Sequence, residues 1–206
     1  MIRDAVLVVG AYLLGSVPFG LLIARLQGGV DLRRVGSGNI GATNVLRTLG
    51  KGAAALTLVG DIGKGALAVG IGRALGVSPT LLASIALAVV VGHLLPVFLC
   101  FRGGKGVATT LGVVLAAMPA VGVLLLVIWI AVASIWRYSS LAALVAAAAL
   151  PVLAWGLDGR PVMVVLAGTL FLLVLLRHRE NIARLWQGTE GKIGQKVAAP
   201  HGQEVA

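Results

Sequence analysis

Apolar stretches alternate with polar, glycine-rich or basic breaks along this chain, at about 5–24, 53–76, 79–100, 106–117, 119–136, 139–156 and 161–176. A bilayer core about 30 Å thick takes about 20 helical residues. Most of the stretches are long enough to cross it, with some tilt or thinning. The fourth, 106–117, has only 12 residues, which at about 1.5 Å per residue gives about 18 Å. It is expected to be a half-helix or a short span that relies on its neighbours. Pro119 breaks the run there, because proline cannot continue the hydrogen-bond ladder behind it. The pattern predicts an all-α, polytopic membrane helix bundle of about seven transmembrane segments, one of them short. Residues 1–206 form one domain, with a polar tail from about 188.

Composition agrees with the pattern. A chain of 206 residues that is 59% hydrophobic has too little polar surface for a soluble globule. Sidedness follows from the basic residues. Seven crossings put Arg25, Arg33, Arg34, Arg47, Lys51, Arg102, Lys105, Arg137, Arg177, Arg179, Arg184, Lys192 and Lys196 on one face. Arg3, Arg73 and Arg160 fall on the other. Thirteen against three is a positive-inside pattern, which predicts an outer N-terminus and a cytoplasmic C-terminus. The first span lacks a small-residue cleavage site, so it is read as a retained helix. The net charge of +10 is then largely topological and meets anionic lipid head groups; nothing resembles a nucleic-acid module. Cys100 has no partner for a disulfide and is expected to be a packed thiol.

Three polar clusters interrupt the apolar background. The first is Val35 to Arg47, with Ser37, Asn39, Thr43, Asn44 and Arg47 among several glycines. It is expected to be a loop outside the hydrocarbon, where its polar groups would otherwise go unpaired. Glycines let successive N–H groups turn toward one point and hold an anion, and Arg47 adds a two-pronged donor.

The second cluster combines Asp61 and Lys64, at i, i+3 spacing inside a span, with His93 and the turn from Phe101 through Lys105 to Thr110. Charges in mid-span are expensive and usually functional. Lys64 is expected to reach an anionic substrate as well as Asp61, with Asp61 the more structural of the two. His93 reads as a hydrogen-bonded packing residue. The Gly103–Gly104–Lys105 turn opens a helix, and N-terminal amides there favour an anion. It is not a Walker A loop.

The third cluster runs from Arg177 to Glu190, directly after the last span. As a helix it places His178, Asn181 and Arg184 on one stripe at the membrane surface. Three phosphate-suited clusters on one face form a constellation more specific than any member.

These residues resemble the bacterial acyl-phosphate:glycerol-3-phosphate acyltransferases, the integral-membrane family that makes lysophosphatidic acid. The matching stretches are Gly36 to Arg47, Gly92-His-Leu-Leu-Pro-Val-Phe with Gly103 to Thr109, and His178-Arg-Glu-Asn-Ile-Ala-Arg-Leu with Gly188-Thr-Glu190. Their order and spacing agree with the family over essentially the whole chain. Ile40 departs where a proline is expected, and Arg102 stands where the family often has lysine. The resemblance implies a fatty acyl phosphate donor, a glycerol 3-phosphate acceptor and released phosphate. It implies a site in the bacterial inner membrane facing the cytoplasm. The donor is already an activated anhydride, so no metal or cofactor is called for, and no obligate protein partner. His178 and Asn181 are expected to be catalytic. Ser37, Asn39, Thr43, Asn44, Arg47, Lys64 and Lys105 are expected to hold substrate, supported by Asp61, His93, Arg184 and Glu190.

Mechanism is narrowed by what is missing. The H-x-x-x-x-D pair of another acyltransferase class is absent, since Phe98 follows His93 and Ala183 follows His178 at that spacing. There is no G-x-S-x-G elbow. Direct attack by the glycerol hydroxyl is therefore expected, with positioning and charge stabilisation supplying the acceleration. An organic-phosphate transporter is the rival reading, but no repeat between halves is found and the clusters lie on one face. A structural scaffold would not need three phosphate-suited loops.

Overall fold

The computed structural model describes residues 1–195, and every regular element among them is helical. The expected all-α membrane bundle is what the chain forms. The helices are α1 (Ile2–Gly15), α2 (Phe19–Leu26), α3 (Ala42–Leu49), α4 (Lys51–Ala74), α5 (Pro79–Leu94), α6 (Val107–Ala117), α7 (Pro119–Trp136), α8 (Ser139–Leu153), α9 (Pro161–Arg177) and α10 (Arg179–Trp186). Lys51–Ala74, Pro79–Leu99, Pro119–Trp136 and Ser139–Asp158 are each long and apolar enough to cross a membrane. Two further pairs are long and apolar enough only together, α1 with α2 across a 42° bend and α9 with α10 across a 60° bend. With α6 these account for the seven apolar stretches. Lys196 and the rest of the polar tail beyond residue 195 lie outside the described residues.

Proline sets several boundaries. Pro79, Pro119 and Pro161 open α5, α7 and α9, where the missing N–H has no partner to lose. Ser78 caps α5 by accepting from the Leu81 N–H. Pro18 divides what the pattern read as one continuous first segment, for the same reason it cannot sit inside a helix. Pro151, inside α8, is followed by a wide π turn over Ala154–Asp158.

Helix α6 is short, at 11 residues, or about 16 Å. Small residues let it lie close against α4. A methyl on Gly65 would overlap the Thr109 carbonyl, and one on Gly112 would overlap that of Ile62. Such small-residue contacts are how membrane helices approach without a hydrophobic driving force. The far end of α6 stops short, and two arginines reach it. Arg73 donates to Ala116 O at 2.6 Å and Arg160 to Ala117 O at 3.2 Å, which satisfies carbonyls that a helix end leaves free. Val69, Val89, Val90, Val113, Val114, Val121, Met163 and Leu170 form the dry centre of the bundle.

The opposite end gathers the polar clusters. Thr43 meets Ser139, Arg47 meets Gly191, Arg177 meets Gly103 and Gly104, and Ile193 bonds to the Arg137 carbonyl. Segments far apart in sequence therefore share one end of the bundle. Cys100 does not fit the expectation of a packed thiol. It is exposed, on a turn where Cys100 and Phe101 both have positive φ, so the apolar run has already left the core there.

Candidate active site

The first cluster is not all loop. Gly41 is extended and opens α3, which carries Thr43, Asn44 and Arg47. Asn44 is buried, and its side chain organises the segment ahead of it. Its Oδ1 accepts from the Ser37 N–H at 2.9 Å, and its Nδ2 donates to the carbonyls of Leu32, Val35 and Asn39. Asn39 Oδ1 accepts from the Gly41 N–H at 2.8 Å. The amides of Ser37, Gly38 and Gly41 thus close the loop on itself, where the sequence pattern suggested they would face an anion. Asn39 and Asn44 shape the wall, while the Ser37 side chain stays exposed. Thr43 Oγ1 pairs with Ser139 Oγ at 2.9 Å. Arg47 donates from Nη2 to Gly191 O at 2.8 Å, one of five N–H groups on that fork.

The second and third clusters meet in a hydrogen-bonded chain. Lys105 Nζ donates to Asn181 Oδ1 at 2.5 Å, and Asn181 Nδ2 donates to Glu190 Oε1 at 2.7 Å. Ser140 Oγ donates to the same Glu190 oxygen at 2.6 Å, and Arg184 Nε to the other at 2.7 Å. Burial raises the Glu190 carboxyl, but these three donors outweigh it and hold the group below its ordinary range. Burial pushes the Lys105 ammonium down to about 8, helped by repulsion from Arg184 and Arg177. The stripe on α10 forms as expected, since Asn181 and Arg184 both reach Glu190.

His178 lies at the bend between α9 and α10, and it is buried rather than at the surface, as is Asn181, at 2% and 5% exposed. The 60° turn folds that stripe back under the bundle. His178 Nδ1 contacts Val174 O at 2.8 Å. A carbonyl only accepts, so Nδ1 carries the proton and Nε2 keeps its lone pair. Burial holds this imidazole at about 4, with Lys105 adding repulsion against the bond to Val174 that favours its charge. The ring is neutral near pH 7.

Asp61, Lys64 and His93 form a separate buried group. Lys64 Nζ lies 2.8 Å from Asp61 Oδ1 as an ion pair off the line of a directed hydrogen bond. It also lies 2.9 Å from His93 Nδ1 and donates to Val17 O at 2.9 Å. The Lys64 side chain is 1% exposed and enclosed by these three groups, so this packing turns it inward and gives no support to the expectation that it also holds substrate. His93 is a hydrogen-bonded packing residue, as its setting in the sequence suggested.

The turn after α5 also differs from expectation. The Gly103 N–H donates to Leu94 O at 3.2 Å and the Gly104 N–H to His93 O at 3.1 Å. These two amides finish α5 and do not point at an anion. Two further residues shape the site without having stood out in the sequence. Arg177 donates to Gly103 O at 2.9 Å and to Gly104 O at 3.1 Å. Ser140, in an otherwise bland alanine-rich helix, supports Glu190. Ser140 stands in no polar run, and Arg177, although it opens the third cluster, gave no sign there that it would hold the turn; only the fold shows these roles.

The glycerol-3-phosphate acyltransferase family model matches residues 5–188. The glycerol-3-phosphate acyltransferase of Thioalkalivibrio sulfidiphilus is 52% identical over 197 residues, covering 96% of this chain and 97% of that one. The enzyme of Jannaschia sp. is 57% identical over 186 residues, covering 90% of each. The crystal structure of PlsY (YgiH), an integral membrane glycerol 3-phosphate acyltransferase, superposes in its glycerol 3-phosphate form with a TM-score of 0.88. It is 43% identical, over 93% of this chain and 96% of that one. The lysophosphatidic acid form of the same protein gives a TM-score of 0.85. With a membrane bundle and a one-ended polar site already in place, the chain belongs to the glycerol-3-phosphate acyltransferase family.

Proposed function

We propose that this acyltransferase takes its acyl group from a fatty acyl phosphate and passes it directly to glycerol 3-phosphate. The products are 1-acyl-glycerol 3-phosphate and inorganic phosphate. The observation that carries the reading is the chain from Lys105 through Asn181 to Glu190, with Arg47 tethered to Gly191 at the same end of the bundle. Fixed cations beside a carboxylate-anchored amide suit two phosphorylated substrates. Lys105 and Arg47 hold phosphate oxygens, with the Ser37 hydroxyl at the rim. Asn181 and the neutral His178 orient the acceptor and its reacting hydroxyl. Glu190, Arg184 and Ser140 keep Asn181 in place.

In the reaction the hydroxyl oxygen bonds to the acyl carbon, the anhydride C–O bond breaks, and phosphate leaves with its electron pair. His178 accepts a hydrogen bond at Nε2 but, at about 4, is a poor resting place for the proton near pH 7. The phosphate that leaves the acyl phosphate dianion would carry a third negative charge, so it takes the hydroxyl proton and departs as hydrogen phosphate. Direct transfer is supported by the hydrogen-bond pattern. Among the described residues neither histidine contacts a serine or cysteine; His178 bonds to Val174 O and His93 faces Lys64. The positive-inside asymmetry supports a site on the cytoplasmic side of the bacterial inner membrane.

The test is transfer by purified protein in detergent, offered glycerol 3-phosphate with either hexadecanoyl phosphate or the matching coenzyme A thioester. Lysophosphatidic acid and stoichiometric phosphate are expected from the first donor. Turnover of the thioester with none of the acyl phosphate would overturn the donor assignment.

A further inference from the structure

The Asp61–Lys64–His93 group is buried, ionisable and unused by the proposed transfer. Ionised side chains inside a membrane bundle carry a desolvation cost and are kept where they fix something. What they touch is therefore informative. Lys64 takes the carbonyl of Val17, at the break between α1 and α2. It also lies over the Phe19 ring, 5.8 Å from its centre. Asp61 holds Lys64 within α4, and Lys64 in turn holds His93 on α5. His93 Nδ1 also lies 3.4 Å from Asp61 Oδ1, so both members of the pair face one edge of the ring and leave Nε2 on the other.

That Nε2 edge lies directly against Gly104, where an added methyl would overlap it. His93 grips the same glycine a second time, because its carbonyl accepts the Gly104 N–H at 3.1 Å. On the carbonyl side of the turn, Arg177 takes the oxygens of Gly103 and Gly104. The turn is thus held by His93 and Arg177, and the next residue is Lys105. A glycine with no side chain to anchor it owes its position to these neighbours.

We propose that Asp61, Lys64 and His93 are positioning residues, which set the Gly104 backbone and through it aim the Lys105 ammonium at substrate phosphate. The inference rests on the reading of Lys105 as a phosphate-holding residue. It assigns the mid-membrane charges to the geometry of the site and not to substrate contact.

The experiment is a double-mutant cycle on purified protein, with kcat/KM for glycerol 3-phosphate as the readout. His93→Asn keeps an acceptor for Lys64 but removes the ring edge that backs Gly104. Lys105→Ala removes the group being aimed. Each single variant is expected to lose at least about tenfold. The double variant is expected to lie within about threefold of Lys105→Ala alone, because residues acting through one another are not additive. Independent, multiplied losses would overturn the proposal. So would a folded His93→Asn protein within about twofold of wild type. Wild-type activity in Lys105→Ala would instead defeat the reading of Lys105, and is seen in that single variant before the cycle is read. Should His93→Asn not fold, Gly104→Ala replaces it in the same cycle. That variant pushes the turn off the ring without removing a polar group, and the same non-additivity is expected.

Discussion

Lys105 donates its ammonium proton to Asn181 Oδ1 at 2.5 Å, across 76 residues of sequence. This bond joins the turn before α6 to the helix after α9. It ties the residue proposed to hold phosphate to the one proposed to place the acceptor. A pH effect follows from it. Burial lowers the Lys105 ammonium to about 8, so as pH rises through that value the free enzyme loses the charge that phosphate needs. The profile of kcat/KM, which reports the free enzyme, is expected to fall above about pH 8. In Lys105→Arg the charge persists to far higher pH, and the limb should move above pH ~10. A limb that stays near 8 in the arginine variant assigns it to another group.

Arg47 is expected to be needed for catalysis beyond its bond to Gly191. A hydrogen bond to a charged group contributes about 1.5–3 kcal/mol, so Arg47→Ala should cut kcat/KM at least about tenfold. The tether to Gly191 is a single bond near the polar tail, so thermal unfolding in detergent should change little. Activity within about twofold of wild type in a folded Arg47→Ala protein removes Arg47 from the site.

Glu190 accepts from Ser140, Asn181 and Arg184, and its charge is what these donors share. Glu190→Gln replaces an acceptor-only group with one that also donates, setting an N–H against one of the donors. The expected result is a folded protein with at least about a tenfold loss in kcat/KM. Ser140→Ala, which removes one donor of three, should lose less. A Ser140→Ala loss larger than that of Glu190→Gln would give Ser140 a direct part in the chemistry.

The placement of the site relative to the membrane can be read by labelling. Single cysteines at positions 38 and 190, in a Cys100→Ser background, are expected to react with an impermeant maleimide only from the cytoplasmic side. Position 38 lies in the exposed loop and position 190 beside the end of the bundle. Labelling of either from outside would invert the topology that the thirteen-to-three charge asymmetry predicts.

How far this was legible in the sequence varies from residue to residue. Apolar length located the seven stretches, because crossing a bilayer is a one-dimensional constraint, but not the bends: four of them are single helices long enough to cross, two belong to bent pairs and α6 is short. Lys105, Asn181 and Glu190 stood in dense polar runs and converge as anticipated. The partners that steer them did not stand out. Ser140 sits in an alanine-rich helix and Arg177 reads as one of many interfacial cations. Asn39 and Asn44 looked like ligands but organise the loop, and Lys64 looked available but is turned inward. In each case a polar side chain at the site has two possible customers, substrate or backbone, and only three-dimensional contact decides between them. The same applies to burial. A cluster just beyond a span reads as surface until the 60° bend after α9 folds it inward.

Direct transfer leaves no acyl group on the protein, and that is the last expectation. An acyl-enzyme needs a nucleophile beside a base. His178 has its Nδ1 on Val174 O and His93 its Nδ1 on Lys64, while Cys100 lies exposed on a turn after α5. Cys100→Ser is accordingly expected to keep wild-type activity. His178→Ala and Asn181→Ala should lose most activity. Both side chains are buried, so these variants should also be less stable, and activity has to be normalised to the folded fraction from size exclusion. His178→Gln, which retains a donor and an acceptor, separates the two effects. It should restore stability more fully than activity if the imidazole orients the hydroxyl. Mixing the enzyme with hexadecanoyl phosphate alone, followed by peptide mass spectrometry, is expected to show no acylated peptide. An acyl group trapped on Cys100, Ser37 or Ser140, and released on adding glycerol 3-phosphate, would replace direct attack with a two-step mechanism.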